Sequence, residues 1–149
     1  FLVERALWAR AGGANEAVFI QDQSLPLRLA CHADRLAYVD ACVYWLRPAT
    51  SANLSSNIMQ QHHDRFFSLL PFVHMKNQSD EAKKALMRQL VSSLWKVERD
   101  GGRAMPYLSR AFLRYGLNRL SGWRLSLETL ERQGRLLRTL PDIRRPELP

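Results

Sequence analysis

The residues with the most chemistry to offer lie in one run, Gln60 to Asp64 (QQHHD), with His74 ten residues further on. Histidine nitrogens and carboxylate oxygens are ordinary metal ligands. Zinc sites on a helix use histidines four residues apart, as in HExxH, because that spacing puts both rings on one face. His62 and His63 are adjacent instead, so their side chains point about 100° apart on a helix and chelate poorly as a pair. The run therefore predicts a polar helix face with one buried histidine, and no metal site.

Residues for nucleophilic catalysis are present in number but not in a recognisable context. Serine, histidine and aspartate all occur, so composition alone does not exclude a catalytic triad. A hydrolase nucleophile usually lies in a motif such as GxSxG, and the sequence contains none. The seven glycines stand at predicted helix ends or singly, so no glycine-rich phosphate loop is visible either. We therefore expect no catalytic residues, no cofactor and no enzymatic activity.

Charge is distributed unevenly along the 149 residues, which carry 22 basic and 14 acidic side chains and a net charge of +8. The first fifty residues are neutral, with five charges of each sign. Residues 101–149 carry ten arginines against four acids, a net charge of +6. Within them, 103–124 has no acidic residue and interleaves arginine with aromatic residues. An anionic partner is therefore expected to meet the C-terminal third.

Arginine and aromatic side chains in this third admit three kinds of partner. Arg110 and Arg114 are one helical turn apart, and a guanidinium group binds phosphate or carboxylate bidentately. Such residues suit RNA, whose bases stack on aromatic rings, but they are also enriched at protein interfaces, and anionic lipid is the third choice. The predicted partner-binding residues are Arg103, Tyr107, Arg110, Arg114, Tyr115, Arg119, Trp123, Arg124, Ile143, Arg144 and Arg145.

Apolar residues at helical spacing, together with helix-end signals, predict the elements that would position these side chains. Ser79 is expected to cap one helix, Pro71 to end the helix before it, and Gly116 to end the helix after it. Residues 14–27 stay ambiguous between strand and loop. The predicted helices cover 3–11, 28–46, 57–70, 80–99, 106–115 and 123–138.

The predicted fold is all-α, because no alternation of strands and helices is visible. Residues 1–138 are expected to form a single irregular bundle of five to six helices. Residues 139–149 contain three prolines and are expected to form an extended C-terminal tail. Ile143 and Leu148 flank a basic pair there, so we expect the tail to become ordered on a partner. A tail that folds back onto its own helices is the alternative.

Two cysteines, Cys31 and Cys42, fall on the helix predicted over 28–46. Eleven residues on a helix separate them by about 16 Å, which is too far for a disulfide bond. We expect both thiols to be reduced and at least partly buried on the apolar face of that helix.

These features predict a non-catalytic structural or accessory subunit of a large multi-subunit assembly. The favoured assembly is a mitochondrial membrane-bound energy-transducing complex (respiratory chain or ATP synthase), and the alternative is a mitochondrial ribosomal protein that binds rRNA through the arginine-rich third. The chain begins at Phe1 instead of Met. Organellar import followed by removal of a presequence would explain this start, and a trimmed chain would explain it equally well. No apolar run reaches the roughly 20 residues of a membrane span. A helix-turn-helix DNA regulator is disfavoured, because 105–121 is too apolar for a recognition helix.

Overall fold

All regular structure in the described part of the chain is helical, in agreement with the all-α prediction. The structure is a computed structural model and describes residues 2–37, 40–41, 57–76, 78–102, 104–141 and 143–144. Within these ranges there are six α-helices, two short 3-10 helices and no strand. The α-helices are α1 (Arg5–Arg10), α2 (Gln21–His32), α3 (Ile58–Leu69), α4 (Asp80–Asp100), α5 (Arg110–Ser121) and α6 (Leu127–Leu137). The 3-10 helices are Leu70–His74 and Pro106–Leu108.

Side-chain caps determine where α3 to α6 begin. The cap residues Asn57, Ser79, Ser109 and Ser126 each accept a hydrogen bond from the backbone N–H three residues ahead. Such a bond satisfies one of the free donors at a helix start and contributes about 1 kcal/mol. The predicted cap at Ser79 is confirmed, with its Oγ 3.1 Å from the nitrogen of Ala82.

The long helix α4 lies at the centre of the molecule, between α3 and α5. Its apolar residues Leu90, Leu94 and Val97 are buried. On α3, Phe66 and Phe67 pack against them in the same apolar cluster, and Leu130 and Leu137 bring α6 into it. A Cβ added at Gly134 of α6 would lie 3.3 Å from the ring of Phe66, so a glycine here lets the two helices approach closely.

A second, smaller apolar cluster joins α1 to α2. Ala11, Leu25 and Leu29 are buried in it, with the partly buried Val3 and Leu7 packed alongside. The guanidinium group of Arg28 donates to the backbone oxygens of Ala11 and Gly13, and so satisfies carbonyls just beyond the end of α1.

The helix predicted over 28–46 is confirmed at residues 28–32, but its predicted bounds are wrong where the structure describes them. The corresponding helix α2 begins at Gln21 and ends at His32, and residues 33–37 are not helical. An early start is possible because Asp64 of α3 accepts hydrogen bonds from the N–H groups just before α2, a tertiary contact that local sequence does not reveal. Cys31 is exposed, contrary to the expected burial, because it lies on the outer side of this shorter helix. Cys42 lies outside the described residues.

The predicted boundaries of the last two helices also need correction. Gly116 does not end its helix: α5 continues to Ser121 and stops at Gly122, which has φ 68° and caps the helix in the left-handed conformation. A single glycine weakens a helix by about 1 kcal/mol without breaking it. The next helix begins at Leu127, not near residue 123, because Ser126 supplies its cap. No helix in the described ranges is long and apolar enough to span a bilayer.

Candidate functional site

The QQHHD run lies on α3, and four of its five polar side chains face inward. Gln60, His62, His63 and Asp64, here called the buried polar row, are all buried. The expectation of one buried histidine is therefore too low, because both imidazoles are covered. Each of these side chains has a specific hydrogen-bond partner, as buried polar groups require.

Asp64 joins the segment before α2 to α3. Its Oδ2 accepts from the backbone nitrogens of Phe19 and Ile20, at 3.1 and 2.7 Å. Its Oδ1 lies 2.9 Å from Nε2 of Gln60 and 2.8 Å from Nδ1 of His63. The carboxylate oxygens therefore hold the segment before α2 against α3, and they are committed to contacts inside the protein.

Gln60 holds the start of the C-terminal segment. Its Oε1 accepts from the backbone nitrogen of Arg144 at 2.7 Å, and its Nε2 donates to the backbone oxygen of Arg144 at 3.1 Å. Ile143 is half-buried beside this contact in the chain. Arg144 is therefore hydrogen-bonded to α3 of its own chain, and the two predictions for the tail beyond it, ordering on a partner or folding back, stay open. Arg145 lies outside the described residues.

His62 pairs with the last residue of α4. Its Nε2 lies 2.8 Å from Oδ2 of Asp100, which also receives the guanidinium group of Arg99 at 2.6 Å on Oδ1. The hydrogen bond from Arg99 is the main reason that the pKa of Asp100 is lowered to about 2. Burial lowers the pKa of His62, so the neutral imidazole is favoured there. This contact joins α3 to the end of α4.

The buried polar row is arranged for holding segments together. His63 and Asp64 are 2% exposed, so a substrate could not reach them without displacing the structure around them. Among the residues that the structure describes, no three His, Cys, Asp or Glu side chains are grouped to hold a metal ion. His74 stands apart in the 3-10 helix that follows α3, where it is exposed.

The exposed side of α5 is the second candidate. This helix packs on α4 through Ala111 and Asn118, which are buried. On the opposite side, Leu113, Leu117 and Leu120 are 62%, 42% and 90% exposed. We call this side, comprising the three leucines and Gly116, the outer face of α5. A helix that is apolar on both sides normally covers its second side with another element.

Further large apolar side chains are exposed next to α5 in sequence. They lie in the 3-10 helix before α5 or directly before that helix, in the connection from α5 to α6, and at the first residue of α6. The residues are Met105, Tyr107, Leu108, Trp123 and Leu127. Asn118 places the connection, because its Nδ2 donates to the backbone oxygen of Trp123 at 2.7 Å. Large apolar surfaces on soluble proteins commonly mark interaction sites.

The aromatic residues predicted to contact a partner differ in availability. Tyr115 is half-buried, and its ring lies 6.2 Å from that of Trp95 in a stacked arrangement. Arg119 covers the same ring, with its guanidinium carbon 5.3 Å from the centroid. Tyr107 is exposed, although its ring also contacts Trp95 at 5.3 Å. Of the predicted aromatic anchors, Tyr107 and Trp123 therefore have surface to offer a partner, and Tyr115 has little.

The predicted arginines border the outer face. Arg110, Arg119 and Arg124 are exposed, and Arg114 is half-buried. None of these four forms an ion pair with another described residue. Arg103 lies outside the described residues. Their charge is therefore available to a partner.

Sequence reasoning found these arginines but missed the leucines between them. The signal was present: Leu113, Leu117 and Leu120 recur at spacings of four and three, as a helix face requires. The sequence alone does not show which side of α5 is exposed, because Ala111, Tyr115 and Asn118 recur at the same helical spacing on the other side.

Comparisons of this chain with family models, with curated proteins and with solved structures found no match, so its functional assignment rests on the geometry of its own residues.

Proposed function

We propose that this chain is a non-catalytic accessory subunit that docks into a larger assembly through the outer face of α5. The observation that carries the proposal is the row of three exposed leucines directly opposite the side of α5 that packs on α4. The arginines beside it, which form no ion pair with another described residue, add specificity, since charged groups at the rim of an interface steer and orient a partner.

The free energy gained by burying the three leucines supports docking as the role of this face. Transferring one leucine side chain from water to an apolar contact contributes about 1.5–3 kcal/mol. Burying Leu113, Leu117 and Leu120 against a partner would therefore contribute on the order of 5 kcal/mol before the cost of association is subtracted. Trp123 adds a residue type that is common at the centres of interfaces.

For the parent assembly we propose a mitochondrial membrane-bound energy-transducing complex, with this chain as a peripheral subunit. The second candidate is a ribosomal protein, and the observation that favours it is the set of arginines without acidic partners, which suits phosphate. What the native protein co-purifies with separates the two: hydrophobic membrane subunits in the first case, rRNA in the second.

The test is incorporation of a tagged chain into the assembly of its source cells. We expect Leu113→Gln/Leu120→Gln to migrate as the free protein on a native gel, whereas the unchanged chain migrates with a large complex in the mitochondrial fraction. Glutamine retains helix propensity, so the circular dichroism spectrum should not change.

A matched control is Leu136→Gln, which alters an exposed leucine on α6, a helix that contacts α3. This variant should assemble normally. Normal assembly of the double α5 variant would show that docking uses another surface, and migration of the unchanged chain as a free protein would remove the accessory role altogether.

A further inference from the structure

The three leucines of the outer face form a narrow row. At about 100° per residue, Leu113, Leu117 and Leu120 fall within roughly 60° of the helix circumference. Their spacings of four and three residues match the alternating core positions of a heptad. A helix that lies on a membrane needs a wider apolar side, whereas a row this narrow is typical of contact with one other helix.

Gly116 leaves a gap in this face. It lies in the middle of α5, one turn from both Leu113 and Leu120, and a Cβ added there would meet nothing within 4 Å. Glycine inside a helix is unfavourable by about 1 kcal/mol, and no packing within the described chain requires it here. Small residues on a helix surface allow the backbone of a second helix to approach closely.

The charge around the face is positive on both edges. Arg110 and Arg114 lie one turn from the leucines on one edge, and Arg119 lies one turn from Gly116 on the other. Between residues 101 and 127 the sequence has no aspartate or glutamate.

We propose that the occupant of the outer face is an acidic amphipathic helix of a partner protein. Its apolar residues pack between Leu113, Leu117 and Leu120 and cross α5 at Gly116, and its carboxylates meet the arginines on the two edges. This inference rests on the proposed docking function and specifies the chemistry of the partner.

Other occupants fit these observations less well. A second copy of this chain would bring two arginine-edged faces together, and like charges in contact are unfavourable. RNA would use the arginines and the exposed Tyr107 and Trp123, but it would leave the three leucines in water. An anionic bilayer would accept arginine and leucine, but it has no need of a gap at Gly116.

The experiment places a photo-crosslinking amino acid at residue 117 of the full chain in its source cells, and, as a control, at residue 136. Irradiation followed by mass spectrometry identifies what is bonded to each position. We expect position 117 to crosslink to one protein segment with net negative charge and apolar residues at spacings of three and four. Position 136 should not crosslink to it.

The outcomes separate this inference from the docking proposal. A crosslink from position 117 to a basic segment, a second copy, lipid or RNA would overturn the acidic-helix inference and leave docking in place. The same low yield at positions 117 and 136 would overturn both.

Gly116→Gln gives a second, independent readout. A synthetic peptide of the crosslinked segment should bind the purified chain, and Gly116→Gln should weaken that binding at least tenfold, because the new side chain fills the gap. The Leu136→Gln variant should bind as the unchanged chain does. Equal affinity of the Gly116→Gln variant would show that no helix crosses α5 at this point.

Discussion

Gln60 illustrates how single polar residues act in this molecule. Its side chain is fully buried, and both of its amide atoms are bonded to the backbone of Arg144. A bidentate contact of this kind replaces the hydrogen bonds that the segment would otherwise make with water. Gln60 is therefore the residue that joins α3 to the last described part of the chain.

Gln60→Ala should lower the free energy of unfolding by about 2–3 kcal/mol, because it removes the hydrogen bonds to Arg144 and Asp64 and leaves a cavity at a fully buried position. It should also speed tryptic cleavage after Arg144, since the backbone there is no longer held. Urea denaturation and timed proteolysis measure the two effects. Gln89→Ala, at an exposed position of α4, should change stability by less than about 0.5 kcal/mol. Unchanged cleavage in the Gln60 variant would mean that the contact with Arg144 does not hold the segment.

Asp100 gives the fold a defined acid sensitivity. The ordinary pKa of its carboxyl is 3.8, and in the folded protein Arg99 chiefly lowers it to about 2. Because the pKa is lower in the folded protein than in the unfolded chain, the ionised carboxylate stabilises the fold at pH values above 3.8. That stabilisation is lost as the pH falls from 3.8 to about 2. Asp100→Asn should therefore cost on the order of 1 kcal/mol at pH 7, allowing for solvent around Arg99.

The free energy of unfolding should be measured for Asp100→Asn and for the unchanged chain at several pH values from 5 down to 2. The difference between the two values should become smaller as the pH falls. Glu131→Gln, at an exposed site on α6, is the control and should show a small difference at every pH. A constant difference across this range would mean that the charge of Asp100 does not stabilise the fold.

Among the helices, α5 is unusual because apolar residues lie on two of its sides. Its inner side packs on α4, and its outer face is apolar as well. Periodicity in the sequence predicts where helices occur, because apolar residues recur at helical spacing within them. It does not predict how the two sides of α5 divide between the core and a partner, since that depends on where α4 lies.

Helix boundaries show the same limit in physical terms. Caps within the sequence, such as Ser79, are local and predictable. The start of α2 depends on Asp64, which is more than forty residues away, and no local signal predicts such a contact. The candidate site divides likewise: the arginines follow from charge alone, whereas the exposed leucines and the inward orientation of the QQHHD run require the packed structure.

Gly116 and Gly122 should respond in opposite directions to replacement by alanine. A Cβ added at Gly116 would meet nothing within 4 Å, and its φ is not positive, so Gly116→Ala should raise the free energy of unfolding by about 0.5–1 kcal/mol. Gly122 has φ 68°, so Gly122→Ala should lower it by about 1 kcal/mol. Urea denaturation checks both. A loss of stability in Gly116→Ala would show that this glycine is needed inside the chain and not for a partner.

The whole molecule concentrates its positive charge toward one end of the sequence. The first fifty residues are neutral, and residues 101–149 hold ten of the 22 basic side chains. The described arginines around α5 form no ion pair with another described residue, and we expect their charge to act in long-range attraction of an anionic partner. Association with an acidic partner should accordingly weaken as ionic strength rises.

Arg110→Glu/Arg114→Glu should prevent incorporation into the parent assembly, because it turns attraction of an acidic partner into repulsion. The helical signal in circular dichroism should be retained, since neither residue lies in the apolar core. Arg132→Glu/Arg135→Glu makes the same change in net charge on exposed positions of α6 and should assemble nearly normally. Equal loss in both double variants would point to a general effect of net charge.

Hydroxyl-radical footprinting of the free and the assembled chain tests the docking claim most directly, because it reports the solvent exposure of individual side chains. On assembly, oxidation of Leu113, Leu117, Leu120 and Trp123 should fall several-fold, whereas oxidation of Leu136 should stay constant. Unchanged oxidation of the α5 leucines in the assembled protein, with protection elsewhere, would contradict the account that α5 is the docking helix.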